Sequence, residues 1–143
     1  MSGFNSLSPE VAGHLGEETV LDTSVHPPVV HRLHYVFDGW LGDDIVETFP
    51  CYIVTERLAL CTQMIRPSGV SLDDVLVSTS ETFREVYPYR DLPDFRWLRV
   101  NGIAGKDDFG LSAEYELVIS ERVLNAWRDF QLAHCEIKLF DET

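Results

Sequence analysis

Short apolar runs separated by turn signals make up most of the sequence, and two of these runs have nearly the same pattern. CYIVTERLAL at residues 51–60 passes from an apolar stretch to a threonine, an acid and an arginine, and ELVISERVLN at residues 116–125 does the same with a serine. A hydroxyl side chain followed by an acid is typical of a helix N-terminus. Each run therefore predicts a short strand that leads directly into a helix.

The two runs align without a gap at a constant spacing of 65 residues (119 − 54), and each is followed by a further apolar run. The pattern predicts two helices, at 56–65 and 121–131, and two return strands, at 70–78 and 135–140. Two similar strand-cap-helix-strand units are thus expected near residues 51–78 and 116–140. They represent either an internal duplication that creates a twofold-related site or one stable local arrangement used twice.

Residues 1–28 form an N-terminal segment of mixed composition. Ser8 suits a helix cap, Pro9 the first helical position and Glu10 the positive end of a helix dipole, so a short helix is expected there. The Pro27-Pro28 pair then interrupts any regular structure.

Two further runs, VVHRLHYVF at residues 29–37 and FRWLRV at 95–100, are rich in β-branched and aromatic residues, which favours strands. Residues 29–143 are therefore expected to form a single α+β domain. We predict about six strands in mostly antiparallel sheets, with the two helices of the similar units packed on one side.

The chain has 143 residues, of which 45% are hydrophobic, and it is long enough to bury one core. Its charge is more unusual. Its 11 Lys and Arg stand against 24 Asp and Glu, a formal net charge of −13 that both halves share. Such a surface favours a basic protein partner and disfavours nucleic acid and anionic membranes. Solubility alone is the other explanation. With no signal peptide and no membrane-spanning run recognised, we expect a cytoplasmic protein.

Few residues carry the signature of a catalytic or metal site. Cys51, Cys61 and Cys135 form no CxxC pair and are expected to be buried thiols. His31 and His34 would point to opposite faces of one strand and so cannot ligate one metal ion. The GxGxxG, P-loop and GxSxG patterns are absent. We therefore expect no catalytic residue, no metal and no cofactor.

Three aspartate doublets, at 43–44, 73–74 and 107–108, raise the question of cation binding. Adjacent carboxylates rarely converge on one ion, and no doublet lies in the DxDxDG frame of a calcium loop. We expect solvated turns at all three positions.

Arg57 and Arg122 each occupy the first turn of a predicted helix, where a cation opposes the helix dipole. We therefore expect a compensating carboxylate beside each arginine. An alternative function is a small enzyme or ligand-binding protein whose pocket between the two units holds an anionic substrate with both arginines. A structural or regulatory subunit without a ligand of its own is a third class.

Five segments of the chain together resemble bacterial immunity proteins of polymorphic-toxin systems. They are GWLGDDIVETFPCYIVTERLA, SGVSLDDVLV, LPDFRWLRVNG, GKDDFGLSAEYELVISERVLNAWRDF and CEIKLF, within about residues 33–140. The likeness lies in an acidic and aromatic loop followed by a strand, Ser-Glu-Arg and a helix. It implies a non-catalytic inhibitor that occupies or covers a cognate toxin.

An acidic inhibitor would meet a basic toxin rapidly and hold it through aromatic anchors, so exposed acids near aromatics are the expected contacts. One predicted patch comprises Asp107, Asp108 and Phe109 with Asp91, Asp94 and Trp97, and the second comprises Trp40, Asp43 and Asp44. A homodimer surface is the other use of exposed aromatics, with candidates Phe95, Trp97 and Trp127.

Overall fold

Strands dominate the structure, a computed structural model that describes residues 3–141. The strands are β1 (Phe4–Ser8), β2 (Glu10–Val11), β3 (Gly13–Leu15), β4 (Val20–Asp22), β5 (Val29–Arg32), β6 (His34–Phe37), β7 (Ile45–Thr48), β8 (Cys51–Thr55), β9 (Val70–Asp73), β10 (Leu76–Thr79), β11 (Phe95–Val100), β12 (Phe109–Leu111), β13 (Leu117–Ser120) and β14 (Glu136–Leu139). The helices in these residues are α1 (Glu56–Met64), α2 (Glu81–Val86) and α3 (Glu121–Trp127).

A five-stranded sheet in the order β2-β7-β8-β11-β9 forms the centre of the fold, and all its pairs except β2-β7 are antiparallel. Every residue of β8 is buried. Tyr52 and Val54 belong to one hydrophobic core, whereas Cys51 and Ile53 belong to a second. Because both faces of β8 are covered, its sequence is a continuous apolar run without polar alternation.

A four-stranded antiparallel sheet, ordered β12-β13-β1-β14, shares the first core with α1 and α3. α1 lies against β8 and β11, and α3 lies against β13 and β1. The helices meet where the indole N–H of Trp127 donates a 3.0 Å hydrogen bond to the Thr62 hydroxyl. The prediction of a single α+β domain with mostly antiparallel strands is confirmed.

The second core lies on the other face of the central sheet, under smaller elements. A three-stranded sheet, ordered β10-β6-β3, contributes Tyr35 and Phe37, and α2 contributes Phe83. The hairpin of β4 and β5 adds Val30. The helices of the two similar units therefore share one side of the central sheet, and α2 occupies the opposite side.

The helix predicted at Ser8–Glu10 is wrong. This part of the chain forms β1, an inner strand of the four-stranded sheet, and then β2. Leu7 is 1% exposed and pairs with Leu117 on one side and Ile137 on the other, 110 and 130 residues away (117 − 7 and 137 − 7). This long-range pairing outweighs the local helix signals.

Two predicted strands are each divided between different sheets. The run at 29–37 becomes β5 and β6, separated at Leu33, and the run at 70–78 becomes β9 and β10. Each division passes the chain from one sheet to another, so the strands outnumber the about six expected. α1 follows its prediction closely, whereas α3 ends at Trp127 and not at residue 131.

The two similar units adopt the same local arrangement. A hairpin of β7 and β8 leads into α1, and a hairpin of β12 and β13 leads into α3. Thr55 and Ser120 cap the helices by accepting a hydrogen bond from the backbone N–H three residues later. The N–H of each capping residue donates a 2.9 Å hydrogen bond to a backbone carbonyl, that of Asp44 or that of Asp108.

Each unit is completed by two further antiparallel strands, which the chain supplies in different orders. β11 and β9 extend the first hairpin, and β1 and β14 extend the second in the same positions. Since β1 comes from the N-terminus, the second unit is a circular permutation of the first. Cys61 and Thr62 contact Ala126 and Trp127, their counterparts 65 residues later, so an approximate twofold axis passes between α1 and α3.

A buried carboxylate holds the first strand-to-helix junction together. Asp44 accepts hydrogen bonds from the Thr55 hydroxyl at 2.5 Å and from Nε and Nη2 of Arg57 at 2.8 and 2.6 Å. The N–H of Gln131, after α3, donates another at 2.7 Å. Burial alone would raise the pKa of Asp44, but the hydrogen bonds from Arg57 and Thr55 outweigh it and lower the pKa.

The second junction has the same chemistry nearer the surface. Asp108 accepts hydrogen bonds from the Ser120 hydroxyl at 2.7 Å and from Arg122 at 2.9 Å. These bonds lower its pKa, again against the effect of burial. The side chain of Asp108 is 18% exposed, whereas that of Asp44 is 2% exposed. Solvent therefore screens the second ion pair more than the first.

We predict that Asp44→Asn lowers the free energy of unfolding by about 3 kcal/mol. The change removes the negative charge that pairs with Arg57, and it replaces an accepting oxygen with an NH₂ group that faces other hydrogen-bond donors. The matched Asp108→Asn change should cost only about 1 kcal/mol at its more exposed site. Urea unfolding at pH 7 measures both values. The exposed Asp74→Asn control should change stability by less than about 0.5 kcal/mol, and equal losses at the two junctions would contradict the difference in depth.

Candidate functional site

Two loops lie side by side at one end of the central sheet. The first, residues 38–44, joins β6 to β7, and the second, residues 87–94, joins α2 to β11. Gly39 of the first loop lies beside the ring of Tyr87 in the second. We call these two loops the Trp40 surface.

Trp40 is fixed in this surface by both loops. Its indole N–H donates a 2.9 Å hydrogen bond to the carbonyl of Asp43, and its ring meets that of Phe95 edge-on at 6.0 Å. The guanidinium of Arg90 lies 4.8 Å from the indole centroid and 5.6 Å from the Tyr87 centroid. This cation–π stacking holds the second loop against the first.

A cavity of about 520 Å³ opens at the Trp40 surface, and a second cavity of about 670 Å³ is lined by the same residues 91–94. Glu56, Asp91 and Asp94 line both cavities, and none of their carboxylates forms an ion pair with another described residue. The smaller cavity is lined by Trp40, Gly42, Asp44, Thr55, Glu56, Arg57, Asp91, Leu92, Pro93 and Asp94.

Large apolar side chains protrude from the same loops. Leu41 is 55% exposed, and Tyr89 is 96% exposed. A protruding aromatic ring beside free carboxylates resembles the anchors and polar rims of protein–protein interfaces. The Trp40 surface therefore has the chemistry of a protein-binding site.

The structure regroups the residues singled out from the sequence. Trp40, Asp91 and Asp94 come together at the Trp40 surface. Asp107 and Asp108 lie beyond the opposite end of β11, in the connection to β12. Four of the predicted contact residues are at most 5% exposed, namely Asp43, Asp44, Trp97 and Phe109. The aromatics considered for a homodimer surface are buried as well, namely Phe95, Trp97 and Trp127.

The doublet Asp43-Asp44 is buried, contrary to the expectation of a solvated turn. Asp43 accepts a 2.8 Å hydrogen bond from the N–H of His134, and its Oδ1 lies 3.0 Å from Nδ1 of that ring. Asp44 binds Gln131 through its side chain and, through its backbone N–H, donates to the Gln131 carbonyl at 2.8 Å. The doublet thus fastens the segment that follows α3 to the start of β7.

The other two doublets lie at more exposed positions and also hold neighbouring groups. Asp73 forms a 2.9 Å ion pair with Arg99. Asp107 accepts a 2.7 Å hydrogen bond from the N–H of Ile103, within the turn that precedes β12. Asp73 thus links β9 to β11, and Asp107 stabilises the turn before β12.

The two arginines considered for an anionic substrate are each bound to a carboxylate, as predicted from the helix dipole. The Arg57 guanidinium also lies 5.3 Å from the Phe130 ring centroid, and Arg122 donates a 2.6 Å hydrogen bond to the carbonyl of Ile65. Arg57 lines the 520 Å³ cavity, whereas Arg122 does not. The two guanidinium groups therefore do not share this cavity.

The three thiols are unpaired, with Cys51 and Cys135 buried and Cys61 half-buried. Burial raises the pKa of Cys51 and of Cys135 to about 12, and it also raises the pKa of Cys61. Such thiols are protonated at neutral pH and are weak nucleophiles. Within residues 3–141, no group of three or more His, Cys, Asp and Glu side chains is placed to hold a metal ion.

Glu47 on β7 is a half-buried acid with an unusual protonation equilibrium. Burial, with a smaller contribution from the charge of Glu116, raises the pKa of Glu47 to about 7. An acid whose pKa is higher in the folded than in the unfolded state opposes folding once it ionises. Glu47 therefore makes stability depend on pH near neutrality.

Leu41 and Tyr89 of the Trp40 surface, and Glu56 beside it, were not predicted from the sequence as contact residues. Tyr89 follows Pro88 and precedes Pro93, and such a segment cannot form a central strand. The exposure of Tyr89 could therefore have been predicted from the sequence. Nothing comparable marks Leu41, whose exposure depends on how the two loops meet.

No protein-family model matches the chain, and no curated protein matches it significantly. In the part of the chain that the structure describes, the longest helix is α1 with nine residues, and no helix has both the length and the apolar character to cross a membrane.

We predict that Glu47→Gln removes a loss of stability that the unchanged protein shows as the pH rises from about 5 to 7. Over that range the unfolded carboxyl ionises, whereas the folded one stays protonated until its pKa of about 7. At pH 8 the variant should be more stable by about 1–2 kcal/mol, a value reduced for solvent screening. Urea unfolding at several pH values measures the difference. The exposed Glu114→Gln control should show no such pH dependence, and parallel curves for Glu47→Gln and the unchanged protein would contradict the assignment.

Proposed function

We propose that this protein is a non-catalytic inhibitor that binds a basic toxin domain in the cytoplasm, as do the immunity proteins that its sequence resembles. The observation that carries the proposal is the Trp40 surface, where the protruding side chains of Leu41 and Tyr89 accompany the free carboxylates of Glu56, Asp91 and Asp94. Such a surface offers both an apolar anchor and a negative rim to one partner.

Electrostatics supports the choice of a basic partner. The net charge of −13 attracts a positively charged protein over long distances and raises its rate of encounter. At the Trp40 surface itself, Arg57 is bound by Asp44 and Arg90 is stacked on Trp40. The neighbouring carboxylates of Asp91 and Asp94 therefore remain available to lysine and arginine side chains of a partner.

The architecture of the second loop supports a role for Tyr89 as an anchor. Pro88 and Pro93 restrict the loop, and the stacking of Arg90 on Trp40 holds it to its neighbour. A loop backbone that is already held in place loses little entropy on binding. Burying the almost fully exposed Tyr89 ring against a partner would then contribute to affinity with little reorganisation.

The alternative function, an enzyme or ligand-binding protein that acts on an anionic substrate, has less support. It needs guanidinium groups that are free to bind the substrate and that meet at one pocket. Arg57 and Arg122 are instead neutralised by Asp44 and Asp108, and only Arg57 lines the 520 Å³ cavity.

The proposal predicts that the protein restores growth to a bacterial host expressing the C-terminal domain encoded by the neighbouring large reading frame, and that it forms a one-to-one complex with that domain. Tyr89→Ala should weaken the complex by about 10- to 30-fold, because it removes the anchor. The matched control is Met64→Ala, which truncates an 83% exposed side chain at the far end of α1 and should leave affinity unchanged. Titration calorimetry measures both.

A second set of variants tests the charge contribution. The double variant Asp91→Asn, Asp94→Asn should lower the association rate and its salt dependence. The control double variant Glu114→Gln, Asp129→Asn removes the same charge elsewhere and should lower the association rate less. A complex that forms equally well with Tyr89→Ala and with the Asp91, Asp94 variant would show that the partner binds another surface. Toxicity without rescue would contradict the inhibitor function for that pair.

A further inference from the structure

The strand β14 is an open edge of the four-stranded sheet. It pairs with β1 on one side, and no described strand pairs with its other side. All four of its residues are exposed, and they include two large apolar side chains, Ile137 at 40% and Leu139 at 68% exposed. An open edge with apolar side chains is a template for pairing with another strand.

The hydrogen-bonding groups of this edge can be assigned from the pairing with β1. The N–H of Phe140 donates a 3.0 Å hydrogen bond to the carbonyl of Phe4, its direct partner in the antiparallel register. Bonded and non-bonded positions alternate along an antiparallel strand, so Lys138 and Glu136 also bond to β1. The N–H and C=O groups of Ile137 and Leu139 therefore point away from the sheet.

The corresponding strand of the first unit differs in its side chains. Leu72 on β9 is the counterpart of Ile137 (72 + 65 = 137), and it is only partly exposed because it packs against the first core. Ile137 lies opposite Leu7, on the core face of its sheet, yet remains 40% exposed. The position is thus covered by the core at Leu72, whereas it is left open at Ile137.

The charges of β14 are self-complementary in one register. When two copies of the strand run antiparallel with Ile137 opposite Ile137, each Glu136 lies opposite a Lys138 of the other copy. Because the outward N–H and C=O groups belong to every second residue, the next possible registers are shifted by two residues. A shift in one direction places Lys138 opposite Lys138, and a shift in the other places Glu136 opposite Glu136. Attraction between opposite charges thus favours the register with Ile137 opposite Ile137, and repulsion between like charges disfavours the two shifted registers.

We propose that two copies of this chain associate through β14, antiparallel and about a twofold axis at Ile137, so that their two four-stranded sheets become one continuous sheet. Ile137 and Leu139 of each copy are then covered by the other copy. The outward N–H and C=O groups of Ile137 bond to the same residue of the partner copy. This interface does not rest on the proposed inhibitor function.

The test is sedimentation velocity of the full chain over about 1–100 μM protein. The unchanged protein should show a reversible dimer. Lys138→Glu places two like-charged pairs across the interface, as does Glu136→Lys, and each variant should raise the dissociation constant by about tenfold. The double variant Glu136→Lys, Lys138→Glu exchanges the two charges and restores opposite pairs, so it should return the dissociation constant to within about threefold of the original.

Two controls separate pairing from general effects. Lys106→Glu makes the same charge change at an exposed residue in the connection between β11 and β12, and it should leave the dimer unchanged. Urea unfolding of the single variants should match the unchanged protein at a concentration where all of them are monomeric, since both side chains are exposed. A chain that stays monomeric throughout the concentration range would overturn the proposal. A dimer that is unaffected by both single variants, or that the double variant fails to restore, would overturn it as well.

Discussion

A carboxylate buried at a strand-to-helix junction is the constraint on which the rest of this structure depends. Removing the Asp44 carboxylate from water is unfavourable unless a cation and hydrogen-bond donors surround it. Arg57 and Thr55 supply these groups from the beginning of α1, and the N–H of Gln131 supplies another from the segment after α3. A single ionised group therefore fixes the start of one helix, the hairpin before it and the chain that leaves the other helix. Asp44 also lines the cavity of the Trp40 surface, so the same group shapes the proposed binding site.

The second junction extends this constraint to the whole fold. Because Asp108 fixes the start of α3 as Asp44 fixes the start of α1, the crossing of the two helices is determined from both units. Equivalent residues then meet at the crossing, as Thr62 and Trp127 do. The two sheets and the two helices enclose one core, and the central sheet keeps its other face for a second. The loops of the Trp40 surface thus lead into β7 and β11 of the central sheet, which has a core on each of its faces.

The local part of this architecture could be predicted from the sequence, and the long-range part could not. Thr55, Glu56 and the apolar run before them define β8 and α1 through capping and periodicity, which are properties of neighbouring residues. The inclusion of Phe4–Ser8 in a sheet depends on partners more than a hundred residues away, about which local propensity carries no information. The burial of Asp43 and Asp44 escaped prediction for the same reason, because part of its compensation comes from the distant backbone N–H groups of Gln131 and His134. For the candidate site, the sequence indicated the chemistry of acids near aromatics, but the fold decided which of them reach the surface.

The position of β1 has a consequence for the order in which the protein is assembled during synthesis. A chain that grows from its N-terminus produces β1 first and its neighbours β13 and β14 last. Leu7 therefore has both of its native neighbours only after Leu117 and Ile137, 110 and 130 residues later (117 − 7 and 137 − 7), have been made. The strands β7, β8, β9 and β11, by contrast, lie within one continuous stretch of sequence and can pair as soon as that stretch is available. Translation thus favours assembly of the first unit before the second, and β1, made before every other described strand, is among the last to be enclosed.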